Sequence, residues 1–327
     1  MRQHNFFLMF LKIVFFSAIL VSTSSARAEL KVVTTIKPLH SMIANVMDGV
    51  GEPALIIEGS TSPHSFTLKP SHAKLLEEAD IIFWIGEGIE TFMERPLESI
   101  VKNAEVVEFM EIESINKLKF REESIFEDHD DHDDHSDHDD HDDHDDHDDH
   151  SDHDDHGHAH GEFDPHIWLD PMNAKEMVHE IAHELGNLDP ANKDKYEANA
   201  KTTIQVLDQL VNDIDKGINK DAKFVVFHDA YQYFEERFGV RAAGALTLNT
   251  DVLPGAKQIG DIQDVIKDRG IKCIFSEPQF NPKIITTIAE DMNIKTGVFD
   301  PLGANIDSNK SLYFKLITNL GDELKGC

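Results

Sequence analysis

Past residue 28 the chain alternates between two hydrophobic periods. Short apolar runs, LKVVTTI (30–36), EPALIIEG (52–59), ADIIFWIG (79–86) and AEVVEFM (104–110), predict buried strands. Between them LHSMIANVMDGV (39–50), SHAKLLEEA (71–79) and TFMERPLESIVKN (91–103) carry helical spacing. The pattern returns with KFVVFHDA (223–230), VRAAGAL (240–246), IKCIFSEP (271–278) and IKTGVFD (294–300) as strands. The helices of this second half are AYQYFEERFG (230–239), AKQIGDIQDVIKDRG (256–270), KIITTIAEDM (283–292) and SLYFKLITNLGDELKG (311–326). Alternating strands and helices predict an α/β fold of two mainly parallel-sheet lobes.

From Asn173 to about Lys220 the pattern is almost wholly helical. Its longer part is expected to start at Asp189-Pro190, an N-cap followed by proline at the first helical position, and to keep Ile204, Leu207, Leu210, Val211, Ile214 and Ile218 on one face. A helix of about thirty residues spans roughly 45 Å and would join the lobes stiffly. The expected organisation is a leader (1–28), a first lobe (29–170), a helical connector (171–220) and a second lobe (221–327).

The leader carries Arg2, an apolar run from Phe6 to Val21 and an A-x-A site at Ala26-Arg27-Ala28, which reads as a cleavable secretory signal peptide. Lys12 interrupts the run and leaves it too short for a span, so no stable membrane insertion of the mature chain is expected.

The formal net charge is −32, and residues 127–162 hold nineteen acidic residues, twelve histidines and no Lys or Arg. The remainder is only mildly acidic, so nothing would neutralise phosphates and no nucleic-acid partner is expected. The Asp-Asp-His period of three in this insertion fits neither strand nor helix and offers nothing apolar to bury, so disorder is expected there. Its histidines are His129, His132, His135, His138, His141, His144, His147, His150, His153, His156, His158 and His160. Imidazoles and carboxylates on such a tract would bind metal at many shifting, weak sites, a collector rather than the principal site. An acidic solubilising spacer is the other reading.

Cys273 and Cys327 are the sole cysteines. In an oxidising compartment they would most simply pair with each other, with two free thiols as metal ligands the competing view.

Outside the tract and the leader there are seven histidines. His64, His166 and His228 each fall at the end of an expected strand or in the turn leaving it, where open α/β sheets place ligands. Two from the first unit and one from the second could converge across a cleft, and three neutral imidazoles with one open position suit Zn²⁺. His40 and His72 lie near helix starts and read as surface residues. His179 to Asp189, HEIAHELGNLD, fits H-E-x-x-H-x-x-G-x-x-D: His179, His183 and Asp189 as ligands and Glu180 as general base would make a secreted zinc peptidase. A capped helix explains the same letters: Val178, Ile181, Ala182 and Leu185 as the buried stripe, Gly186 as a C-cap and Asp189-Pro190 as the next start.

VVTTIKPLHSMIANVMDGV, SPHSFTLKPS, ADIIFWIGEGIETFM, DPHIWLDP, FVVFHDAYQYFEERFGV, PGAKQI, CIFSEPQF and FDPLGANI together resemble the periplasmic zinc-binding components of bacterial zinc ABC importers, the ZnuA type of metal-binding solute receptor. The likeness runs in order through nearly the whole mature chain. It implies two α/β lobes joined by one long helix, a zinc ion between them on His64, His166 and His228, and a Cys273–Cys327 disulfide. Asp300, in FDPLG, matches a position where manganese-binding relatives place a carboxylate ligand, so the fourth position is Asp300 or a water. Pro63 stands where some zinc-type members carry a glutamate that completes the shell. The implied protein is a monomeric periplasmic receptor, not an enzyme, delivering Zn²⁺ to a membrane permease with its cytoplasmic ATPase. A manganese receptor and a metal buffer or adhesin are the alternatives beside the peptidase.

Overall fold

The computed structural model describes residues 29–126, 161–248, 250 and 253–327. The expected signal peptide and all twelve tract histidines lie outside the described residues.

The first sheet has β1 (Val32–Thr34), β2 (Ala54–Leu55), β3 (Ile81–Trp84) and β4 (Glu105–Glu108), all parallel in the order β2-β1-β3-β4. Around it lie α1 (Lys37–Val46), α2 (Pro70–Glu78) and α3 (Glu94–Ser99). The second sheet repeats the plan with β5 (Phe224–His228), β6 (Ala245–Thr247), β7 (Cys273–Ser276) and β8 (Lys295–Val298), parallel in the order β6-β5-β7-β8. Its helices are α6 (Gln232–Phe238), α7 (Ala256–Asp268), α8 (Lys283–Met292) and α9 (Leu312–Leu324). The inner strands IIFW and FVVFH are buried throughout, as continuous apolar runs in a two-sided parallel sheet must be. Of the four edge strands, all expected to be buried, two expose an apolar residue: Val106 of β4 is 40% exposed and Val298 of β8 46%. An edge strand has a neighbour on one side only, and these two are not covered on the other.

In chain order between the two sheets come α4 (Pro171–Leu188) and α5 (Lys193–Gly217), packed on each other, with α5 also against α1 and α9. The expected boundaries fail here. Gly186 does not stop α4, which runs on to Leu188; Gly186 is buried where Lys193 closes over it, a Cβ there meeting Lys193 Cγ at 3.1 Å. Asp189 is the C-cap of α4 rather than the N-cap of α5, whose own N-cap is Asn192. The Asp189 carboxylate accepts from Asn192 Nδ2 (2.6 Å) and Tyr196 Oη (3.2 Å), so it staples the inter-helix turn.

One apolar core joins both halves, from Val32 and Phe83 through Trp168 and Tyr196 to Phe224, Phe299 and Leu324; a smaller one, including Val225, Leu246 and Ile274, fills the other face of the second sheet. Lys37, buried at the start of α1, donates from Nζ to Gly303 O (2.6 Å), Ile306 O (2.7 Å) and Ala304 O (3.1 Å) of the second half. Trp168 Nε1 donates to Pro301 O (2.8 Å) and Tyr313 Oη to Trp168 O (2.7 Å). Cys273 and Cys327 form a disulfide. No helix among the described residues is long and apolar enough to cross a membrane.

Candidate metal centre

His228 is the last residue of β5. His64 sits in a single 3₁₀ turn, Pro63–Ser65, where the Ser62 hydroxyl accepts the His64 N–H (3.3 Å). His166 does not leave a sheet strand as expected. It precedes the 3₁₀ turn Ile167–Leu169 that leads into α4, and its backbone N–H donates to Asp164 Oδ1 (2.9 Å).

The three rings meet. Their centroids lie 5.2 to 5.8 Å apart, and one ring nitrogen from each falls within 4.8 Å of the other two. Nδ1 of His166 is 2.7 Å from Asp164 Oδ1, and Nδ1 of His228 is 2.6 Å from Glu277 Oε1. A carboxylate can only accept, so each Nδ1 carries the proton and each Nε2 presents a lone pair. Those two Nε2 atoms are 3.4 Å apart. Two nitrogens bound at 2.0 to 2.1 Å to one tetrahedral ion stand about 3.3 Å apart, so the pair already has the spacing of a zinc edge.

The space the rings face is only about 10 Å³, room for one ion or water. Apolar groups, Ile89, Trp168, Phe280, Pro301 and Leu302, line it. Burial, with the neighbouring His166 and His228, holds His64 well below the usual imidazole value, so it stays a neutral donor. At His228 burial also disfavours the charge, but the Glu277 carboxylate, with Asp229 and Asp164, outweighs it and raises the imidazole above 6.5. Beside His228, burial pushes the Asp229 carboxyl up and Arg121 pulls it back.

The other candidates are placed elsewhere. Asp300 is not in the three-histidine group: its carboxylate accepts from Ala304 N–H (2.6 Å), Gln279 Nε2 (3.1 Å) and Leu302 N–H (3.2 Å), which caps the 300–304 turn. His40 is buried rather than on the surface, its Nε2 3.2 Å from Pro53 O, and burial lowers its pKa. His72 is partly exposed; its Nδ1 accepts the Lys69 N–H (3.2 Å) at the start of α2. The peptidase set is not assembled. His179 and His183 are exposed on α4, Val178, Ile181, Ala182 and Leu185 are buried, and His183 Nδ1 lies 2.8 Å from Glu184 Oε1. Glu180, His183 and Glu184 cluster on that surface without His179 or Asp189.

Asp164 and Glu277 were not singled out from the sequence. The Asp-x-His spacing at 164–166 is a local signal that could have found the first. Glu277 is 49 residues from His228 and reaches it because β5 and β7 are neighbours in the sheet.

The family profile described as "Zinc-uptake complex component A periplasmic" matches residues 32–327. The high-affinity zinc uptake system protein ZnuA of Brucella abortus (strain 2308) is 48% identical over 303 residues, covering 90% of this chain and 91% of its own. A crystal structure of ZnuA superposes with a TM-score of 0.71 at 21% identity, covering 91% of this chain and 98% of its own. The laminin-binding protein Lmb of Streptococcus agalactiae, described as a bifunctional adhesin and metal transporter, superposes at 0.68 with 25% identity, covering 90% and 99%. The chain belongs to the ZnuA family of periplasmic zinc-uptake components.

Proposed function

We propose that this protein is a periplasmic receptor that holds one Zn²⁺ between its two lobes on His64, His166 and His228 and delivers it to the membrane permease of an ABC importer. The observation that carries the reading is the 3.4 Å approach of two Nε2 lone pairs whose Nδ1 atoms are both engaged by carboxylates. Two imidazole nitrogens at that distance share a proton or a metal ion, and the His64 nitrogen within 4.8 Å of both completes a three-donor set for a metal. An all-imidazole donor set favours zinc over manganese, which prefers oxygen. With Asp300 committed to backbone and Gln279 donors, water supplies the fourth ligand. His179 and Asp189 stay apart from the Glu180, His183 and Glu184 cluster, which supports a receptor over the peptidase.

The tract is an auxiliary, weaker collector. The described chain stops at Phe126 and resumes at Gly161, five residues before His166, which tethers those histidines to the cleft.

The test is zinc competition with a chelator on the mature protein. Alanine at His64, His166 or His228 removes the tightest site, and Glu180→Gln leaves it intact. Retention of that site in all three alanine variants sinks the reading.

A further inference from the structure

Residues 118–126, LKFREESIF, lead from the first sheet to the tract and are bonded at the start to Asp164, two residues before His166, and at the end to β6, the strand beside the one that carries His228. At the start, Leu118 O accepts the Asp164 N–H (2.8 Å), Leu118 N–H donates to Tyr233 Oη (2.9 Å) and Lys119 O accepts from Gln232 Nε2 (3.1 Å). At the end, Ser124 O accepts the Ala245 N–H (2.8 Å) and Phe126 N–H donates to Ala243 O (3.1 Å), which extends the β6 edge of the second sheet. In the middle, Arg121 Nη1 donates to Asp229 Oδ1 and Nη2 to Glu235 Oε2, both at 2.7 Å, with the guanidinium 4.1 Å above the Phe126 ring.

Each partner leads to a ligand. Asp229 follows His228 in the chain. Glu235 lies on α6, and the same helix grips the group that orients His166: Gln232 Nε2 donates to Asp164 Oδ2 (2.6 Å) and Tyr233 Oη to Asp164 O (2.7 Å). His228 and His166 are thus referred to one helix, and Arg121 is the charge that binds the His228–Asp229 turn to it. Asp229 is 6% exposed and Glu235 2%, so without the guanidinium two buried carboxylates would face each other with no cation between them, Glu235 keeping the Ala242 N–H (3.2 Å). Their repulsion would push the turn off α6.

We propose that Arg121 is a positioning residue for the zinc site: by clamping Asp229 to Glu235 it fixes the spacing of the His166 and His228 nitrogens. This rests on the receptor reading. Simple charge predicts the opposite result, because deleting a cation near a cation site tightens binding, so the sign of the effect discriminates.

The experiment measures the tightest zinc affinity of the full mature chain by chelator competition, the visible spectrum with one equivalent of Co²⁺, and the melting temperature with and without zinc. Arg121→Met should weaken binding roughly tenfold, as other residues that orient metal ligands do, alter the Co²⁺ bands and shrink the zinc-induced rise in Tm; Arg121→Lys should recover part of the loss. Unchanged affinity and spectrum with a lower metal-free Tm would mean a purely structural clamp and overturn the proposal, and so would tighter binding. Where Arg121→Met does not fold, Glu235→Gln decides, since it keeps the size of the side chain and removes one of the two charges that Arg121 holds: a several-fold weaker site supports the proposal and an unchanged one overturns it. His228→Ala is run in parallel. Its failure to weaken zinc brings down the receptor reading itself, whereas failure of the Arg121 variants alone brings down only this inference.

Discussion

Nδ1 of His228 and Oε1 of Glu277 meet at 2.6 Å, both groups buried, at the ends of neighbouring strands β5 and β7. The contact fixes the tautomer that zinc needs, but it also stabilises the imidazolium, so His228 ionises above 6.5 while burial keeps His64 neutral well below it. Zinc binds the neutral ring, so protons compete once the pH falls below a ligand's pKa. A raised value moves that onset up. Zinc affinity should therefore begin to fall above pH 6.5, at about one decade per pH unit as one proton is taken up, with His228 the first ligand lost. Glu277→Gln keeps an acceptor for Nδ1 but removes the charge. The onset should move to lower pH, and affinity at pH 8 should drop roughly tenfold. Chelator competition from pH 5 to 8 checks both, and an onset that does not move would show that Glu277 does not set it.

The three imidazoles were legible as residues and, through the family resemblance, as one site. Each carries a local mark: His228 closes the apolar run FVVFH, and His64 and His166 both follow proline in short turns. The carboxylates behind them were not, because hydrogen bonding across a sheet depends on which strands are neighbours. The strand order β6-β5-β7-β8 that brings Glu277 to His228 has no signature in the letters. Gly186 and Asp189 show the reverse failure. Their local chemistry suggests a helix boundary, yet packing of Lys193 on Gly186 and the Asp189–Tyr196 bond set it elsewhere. Arg121 lies in a polar run, REES, which gives no hint of its two buried partners.

Deleting residues 128–160 while keeping Phe126 and Gly161 separates the tract from the cleft. The bonds of Phe126 to Ala243 O and Arg269 Nη1, and the pairing of Lys119 with Phe163, all lie outside the deletion and hold the remaining ends in place. Zinc stoichiometry should fall to about one, with the affinity of that one site unchanged within about twofold. Calorimetric titration reads both numbers. Loss of the tight site would reverse the order of importance of tract and cleft.

Glu90 is fully buried, and its Oε2 accepts the Ile85 N–H (2.7 Å) and the Gly86 N–H (3.2 Å) at the end of β3. Burial pushes its carboxyl from 4.5 up to about 7. The folded protein thus holds a proton that the unfolded chain releases near 4.5. The resulting stability is present below pH 4.5 and is lost as the pH rises through 7. An elevation of that size corresponds to roughly 3 kcal/mol. Glutamine keeps the acceptor and cannot ionise, so Glu90→Gln should match the parent at pH 4.5 and exceed it at pH 8 by up to about 3 kcal/mol in urea unfolding. Equal stability at pH 8 would show that the parent carboxyl is ionised without cost.

The disulfide offers a test of how far stability and metal binding are separable in this fold. Cys273 opens β7 and Cys327 follows α9, 54 residues apart in sequence. Closing a loop of that length removes chain entropy from the unfolded state worth roughly 4 kcal/mol. The bond fastens the start of β7, whereas Glu277 leaves its far end, a strand length of about 13 Å away. Between them Ile274 and Phe275 are fully packed, and β7 is paired on both sides, with β5 and β8. Cys273→Ser with Cys327→Ser should therefore lower the unfolding free energy by about 4 kcal/mol in guanidinium. At 25 °C, where the variant remains folded, zinc affinity should stay within about twofold of the parent, as for distant, independent sites. A large loss of affinity at preserved folding would mean that the C-terminal tether sets the position of Glu277, and through it His228, along the whole strand.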